Sequence, residues 1–410
     1  MSRHLCLLVS ASVAFAVTPA AGQHEHGSGA GQTVRVGAHA IGLLTHATPA
    51  LLGEDKTEAY LTQPGIMVHA ARGPLAFTGI LNLEGLTLER GELNAGIWGE
   101  GYVDRRHPHT YLHEAVLSYQ RDVLGTSVSV SAGRGFAPFG TDDPMVRGFV
   151  KYPTNHHLSQ ILERLIVIGA ARRGPFVVEA GSFNGDEPLS PDDLGRVDRF
   201  GDSWSARATL LLAAGLELQA SYADVTSPEQ PFGGGLDHKM WNASGRLSRG
   251  TTTKSWYALV EVGRTGEFSE EIEAFHFYTL LAEAALRAGA WRAGARFEHS
   301  DRPEEVRLTD LFRSVRPASD NSILGTTRWT SYTAQLSRRG ALGALHAEPL
   351  VEISHLHARA NQQPAVVEPK KLYGSANLWS LSVGIRMSFG RWHTRMGHYG
   401  AASAPEEPLY

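Results

Sequence analysis

The sequence predicts an all-β fold, a transmembrane antiparallel up-and-down β-barrel of about 16 strands, within a range of roughly 14–18. Three observations carry that expectation. The chain opens on an export leader, its segments alternate apolar and polar residues with a period of two, and short and long connections alternate along it.

The leader reads "MSRHLCLLVSASVAFAVTPAAG". Arg3 precedes an apolar run from Leu5 to Val17, and small residues end at Ala20, Ala21 and Gly22. This is the three-part form of a secretory signal, with cleavage expected before Gln23. The run is too short for a membrane anchor, which needs about 18 or more apolar residues. The only cysteine, Cys6, lies within it, so the exported chain has no thiol for a disulfide, a nucleophile or a metal. With 38 basic and 42 acidic side chains the balance is slightly acidic, which argues against a nucleic-acid partner. The expected organisation is a signal at 1–22, a histidine-containing segment at 23–32, a barrel at 33–389 and an extension at 390–410.

Downstream, "LWSLSVGIRMSF" sets Trp379, Leu381, Val383, Ile385, Met387 and Phe389 on one face. Ser380, Ser382, Gly384, Arg386 and Ser388 share the other. Ten residues of such alternation make a strand with one apolar and one polar face. "SWSARATLLL" and "WRAGARFEH" repeat the pattern, with Trp204 and Trp291 on the apolar sides and Arg207, Arg292, Arg296 and Glu298 opposite. Short turns fall near 72–74, 122–125, 172–175, 213–215, 248–251, 288–290 and 338–343. Longer polar connections occupy 46–63, 86–110, 135–158, 185–202, 224–238, 264–273, 300–327 and 357–377. Short turns on one side, long loops on the other and an even strand count are the marks of an outer-membrane barrel. Closure follows, because an open sheet edge in lipid leaves backbone groups unpaired. Trp204, Trp241, Trp256, Trp291, Trp329 and Trp379 each stand near a strand start, as two interfacial girdles require.

"GRGFAPFG" (133–140) resembles the G-x-F-x-x-P-F-G segment after an early strand of phosphate-selective porin O/P-type barrels. "RHPH" (106–109), "HH" (156–157) and "EAGSFNGDEP" (179–188) are similar to pieces found in the same order in outer-membrane porin-like proteins. The last strand is similar to the signal read by the barrel-assembly machinery, with Ser382, Gly384, Met387 and Phe389 in its places, although 21 residues follow Phe389. The resemblance implies a porin-like channel for passive diffusion of small hydrophilic solutes or ions, in the outer membrane of a Gram-negative-type bacterium. It also implies contact with outer-membrane lipid and a homotrimer, the common state of porins this size. The alternative is a metal-binding or structural outer-membrane barrel without an open pore.

The pleat puts Arg207, Arg246, Arg292, Arg296 and Arg386 on the lumen face with Glu179, Glu217, Glu261, Glu298 and Glu352. Five cations against five anions are not the basic ladder of a phosphate channel, so phosphate selectivity is not expected. The connection "FAPFGTDDPMVRGFVKYPTNHH" (136–157) is too aromatic to stay in water. In 16-stranded porins the third outside loop often folds inward, and Asp142, Asp143, Arg147 and Lys151 are the expected constriction residues.

Histidines cluster in "DRRHPHTYLHE" (104–114). The strand parse leaves His107 and His109 in a loop and turns His113 outward. A metal site would pair His107 or His109 with His156 and His157, and histidine ligands suit zinc or copper; no other cofactor is expected. Asn155, His156, His157 and Ser159 supply the residue types of a triad, but no motif flanks a nucleophile, so the chain is not expected to be an enzyme.

Overall fold

The computed structural model describes residues 32–49, 54–88, 92–93, 109–153, 156–212, 215–251, 253–305, 323–361, 367–390 and 395–403, with backbone alone at 144, 156, 157, 305, 323 and 324. All lie in one compact unit. Alternating sequence becomes alternating burial. In the last strand Ser380 and Ser382 are buried while Trp379, Leu381 and Val383 are exposed. A water-soluble sheet would do the reverse. Here the polar face is enclosed and the apolar face is outside, which only lipid satisfies at low cost.

Seventeen strand segments make one antiparallel sheet. They are β1 (Thr33–Thr48), β2 (Lys56–Arg72), β3 (Leu75–Asn82), β4 (Leu112–Val123), β5 (Thr126–Gly135), β6 (Arg164–Arg173), β7 (Phe176–Phe183), β8 (Ser203–Leu212) and β9 (Leu216–Val225). The rest are β10 (Asp237–Gly250), β11 (Lys254–Ser269), β12 (Ile272–Ala288), β13 (Trp291–Glu305), β14 (Ile323–Arg338), β15 (Gly340–Leu342), β16 (Leu345–Ala360) and β17 (Asn377–Gly390). The three-residue β15 prolongs β14 beside β16, so the barrel has 16 staves. It closes where β17 pairs with β1, from Gly37↔Gly390 to Thr48↔Trp379. Every neighbouring pair is antiparallel, which leaves no strand edge for lipid to meet.

The short turns gather at one end of the barrel and the long connections at the other. The segment expected as a long loop at 264–273 is instead a hairpin: β11 and β12 pair up to Ser269↔Ile272, with only Glu270 and Glu271 between them. Polar sequence there reflects strands that extend beyond the apolar band, a case that period alone cannot separate from a loop. β2, β13 and β14 also run into the stretches expected as loops at 46–63 and 300–327.

Trp204, Trp241 and Trp379 stand outward near the long-loop end, and Trp256 and Trp291 outward near the short-turn end. Trp329 departs from the expected girdle. It shares parity with Ser331, Thr333 and Gln335, so it points inward. There it is fully buried, with the Arg302 guanidinium 4.0 Å from its ring centroid and Tyr373 beside it.

Candidate functional site

The long connection between β5 and β6 does not cover the barrel mouth; it lies inside. Phe136, Phe139, Met145, Val146 and Tyr152 pack into one apolar cluster with Ile80, Val116, Ile166, Ile168 and Phe183 from the wall. Val150 packs on Ile41, Leu43 and Leu350, and the Phe149 ring lies under the Arg296 guanidinium at 4.3 Å. Aromatic side chains on a loop otherwise bounded by polar residues thus find the few apolar wall positions. Burial of each contributes about 1.5–3 kcal/mol toward holding the loop in place.

Ionic contacts fix its register. Glu352 of β16 accepts from the backbone N–H groups of Val150 (2.9 Å) and Lys151 (3.1 Å), and from Gln335 (2.9 Å). Asp142 lies 2.7 Å from Arg395, 3.0 Å from Arg246 and 3.5 Å from His398. Burial alone would raise its carboxyl, but Arg395 and Arg246 hold it well below the usual carboxylate range. The Asp143 carboxylate accepts from the backbone N–H of Met145 at 2.7 Å. Arg147 donates to the Thr141 hydroxyl and the Asp142 carbonyl and lies 3.8 Å from both Glu261 and Glu283. The Lys151 ammonium donates to the Leu93 carbonyl (3.0 Å) and to Tyr60, with Glu92 at 3.6 Å. Burial pushes that ammonium down to about 7.

Most of the ten wall residues read from the pleat meet this loop or one another. Arg207 is bidentate to Glu179, and Arg296 joins Glu283 to the Lys151 carbonyl. Arg292 and Arg386 share Glu348, and Arg386 also donates to the Gly148 carbonyl. Glu261 accepts from Thr141, Glu217 from Arg395, and Glu298 lies buried on the inner face of β13. Glu283 and Glu348 belong to the same network and stand at inward-facing parity, so the alternation could have found them. Nothing in sequence marked Arg395, His398 or Tyr399 as lumen residues; they lie in the expected extension.

The histidine expectations fare differently. His113 does not face outward. Ile80 pairs with Glu114 and Leu81 with Leu112, so His113 occupies a bulge and both His113 and Glu114 turn inward. An extra residue reverses side-chain parity, which period-two reading cannot anticipate. The His113 Nδ1 is 2.6 Å from Glu163, and the His109 Nδ1 is 2.7 Å from Glu84; the two rings lie 5.1 Å apart. Burial would lower the His109 imidazole, but the charge and hydrogen bond of Glu84 push it up to about 9. His107 lies outside the described residues, as do the side chains of His156 and His157, whose backbone forms a single helical turn (His156–Ser159). Among the described residues no group of three or more His, Cys, Asp or Glu is placed to hold a metal.

Scans of the sequence against protein-family models and curated proteins find no match. Solved structures do match. The anion-selective porin from Comamonas acidovorans aligns over 100% of its chain and 88% of this one, at 11% identity and a TM-score of 0.52. A loop L8 deletion mutant of OmpT, an outer membrane protein of Vibrio cholerae, aligns over 99% of its chain and 87% of this one, at 10% identity and a TM-score of 0.50. At these identities the likeness concerns architecture: the chain has the closed antiparallel barrel fold of outer-membrane porins.

Proposed function

We propose that this chain is an outer-membrane porin-like channel for passive diffusion of small hydrophilic solutes or ions. One observation carries the reading: a closed barrel with an apolar exterior encloses a polar, ionised wall, and its own third long loop folds into that lumen. Asp142, Asp143, Arg147 and Lys151 form the constriction, narrowing the path by bulk and by a field of fixed charges. Because those charges are matched by Arg246, Glu261, Glu283 and Glu92, the field across the constriction is balanced and strong preference for one sign of ion is not expected. Phosphate specificity has no basis in such a lumen. Outer-membrane lipid surrounds the apolar belt, the barrel-assembly machinery inserts the chain, and a trimer is its working state.

The side chains at the level of the loop are almost wholly buried, so conduction accompanies displacement of the inserted chain. The alternative is a structural barrel without an open pore. Planar-bilayer recording separates the two. Stepwise currents from purified protein support the channel, and silence under all applied voltages selects the closed barrel.

A further inference from the structure

The stretch after the last strand is not an appendage. β17 ends at Gly390, at the short-turn end, and five residues later Arg395 is inside the barrel. From Arg395 to Ala402 the chain runs along the inner wall, touching β4, β5, β6 and β7. It meets the inserted loop from the opposite direction. Arg395 is bidentate to Glu217 (3.0 Å each) and reaches Asp142 of the loop at 2.7 Å. Arg207 donates to the Gly397 carbonyl at 2.6 Å. The Tyr399 hydroxyl donates to Glu114 (2.7 Å) and accepts from the Phe136 N–H (3.0 Å), while the Ala401 N–H donates to Ser129 (2.8 Å). Met396 and Tyr399 belong to the same apolar cluster as Phe136 and Phe139.

The wall is shaped for it. A side chain at Gly135 would meet the Tyr399 hydroxyl, and Gly400 adopts φ +55° where a Cβ would strike Ser129. Two glycines, one on each partner, thus permit the close approach. Arg395 supplies the cation for the partly buried Glu217 and a second one, beside Arg246, for the buried Asp142.

We propose that Arg395–Ser403 is a resident plug: it closes the lumen from the short-turn end, and the loop 136–153 closes it from the other. The widening of the path that follows its release rests on the channel reading above; its seating does not. Cys6 is the chain's only cysteine, so a Cys6→Ser background lets introduced thiols report cleanly. Ser131, 1% exposed beneath Gly400, becomes the reporter as Ser131→Cys, probed with a hydrophilic maleimide in detergent-solubilised full-length protein. Labelling should be roughly tenfold or more slower than in the same barrel lacking residues 391–410, because the covered site reacts only on local opening. Equal rates in two barrels that both show folded, heat-modifiable gel mobility overturn the plug.

A second variant covers failure of the truncated chain to fold. Full-length protein carrying Ser129→Cys and Ala401→Cys should oxidise to an intramolecular disulfide, since the Ala401 N–H lies 2.8 Å from the Ser129 hydroxyl, which keeps the two Cα atoms within the span a disulfide bridges. Failure to oxidise also overturns the plug. Slow labelling with the disulfide formed, but no bilayer current from any variant, supports the plug and rejects the channel reading instead.

Discussion

The two segments inside the barrel reach it by different physics. The loop 136–153 brings its own apolar anchors and sits in pockets of Ile, Val and Phe. The segment 395–403 brings two large apolar side chains, Met396 and Tyr399, and is held mainly by Arg395, the Tyr399 hydroxyl and backbone donors. Part of what the segment touches is the loop itself: Phe136 and Asp142 by hydrogen bonds, and Phe139 in the shared apolar cluster. The loop can therefore stay seated alone, whereas the segment depends on the loop. This difference teaches an order of release, with the polar-held segment leaving first.

Deleting residues 139–152 should give the largest effect. It removes the loop and, with Asp142 and Phe139, part of the segment's seat, so Ser131→Cys should label as fast as in the chain cut after Gly390, and conductance should exceed that of either single opening. Slow labelling in the loop-deleted barrel would show that the segment does not need the loop. Next comes Asp142→Asn. It leaves Arg246 and Arg395 facing a neutral group, a loss of about 3–5 kcal/mol by the measure of other broken buried pairs. Urea unfolding in detergent reads this directly, and a change under about 1 kcal/mol would place Asp142 in water rather than in a buried cluster.

A pH effect of intermediate size reports on the connection between β3 and β4, where His109 pairs with Glu84 beside Tyr152 of the loop. His109 is raised to about 9 in the fold, so the stability it contributes is fully present below its unfolded value near 6.5 and is lost as pH rises through 9. Glu84 is lowered, so its share is present above 4.5 and is lost on acidification. Burial pushes Glu92 up to about 8, so it weakens the fold as pH rises from 4.5 to about 8, overlapping the lower part of the His109 range. The readout is accordingly a difference. Subtracting the His109→Gln profile from that of the parent should leave a decline between pH 6.5 and 9, no steeper than about 1.4 kcal/mol per pH unit. Parallel profiles would mean the His109–Glu84 pair is not formed. The smallest effect belongs to Tyr399→Phe. Losing its hydrogen bonds costs about 1–3 kcal/mol, and the cost falls on the segment alone: Ser131→Cys should label faster while global unfolding is unchanged.

The wall was legible because a membrane barrel obeys a period of two without a competing core. Trp379, Leu381 and Val383 against Ser380 and Ser382 are read as easily from sequence as from coordinates. The loop announced itself through Phe136, Phe139, Phe149 and Tyr152, too apolar for water. Illegible features were those that break parity or depend on distant chain. The bulge at His113 shifts one residue between strands, and only the pairing with β3 reveals it. Trp329 looked like a girdle residue by position alone, although its inward parity with Ser331 and Thr333 was available. Arg395, His398 and Tyr399 carry no local pattern; their partners Asp142, Arg207 and Glu114 lie some 190 to 285 residues away in sequence.

The most direct test of a two-sided, chain-filled channel is single-channel current in planar bilayers, recorded for the full chain and for the chain lacking residues 391–410. Discrete steps from the full chain, with larger steps from the shortened one, are expected. Absence of current from both, in preparations shown to be folded and inserted, would contradict it.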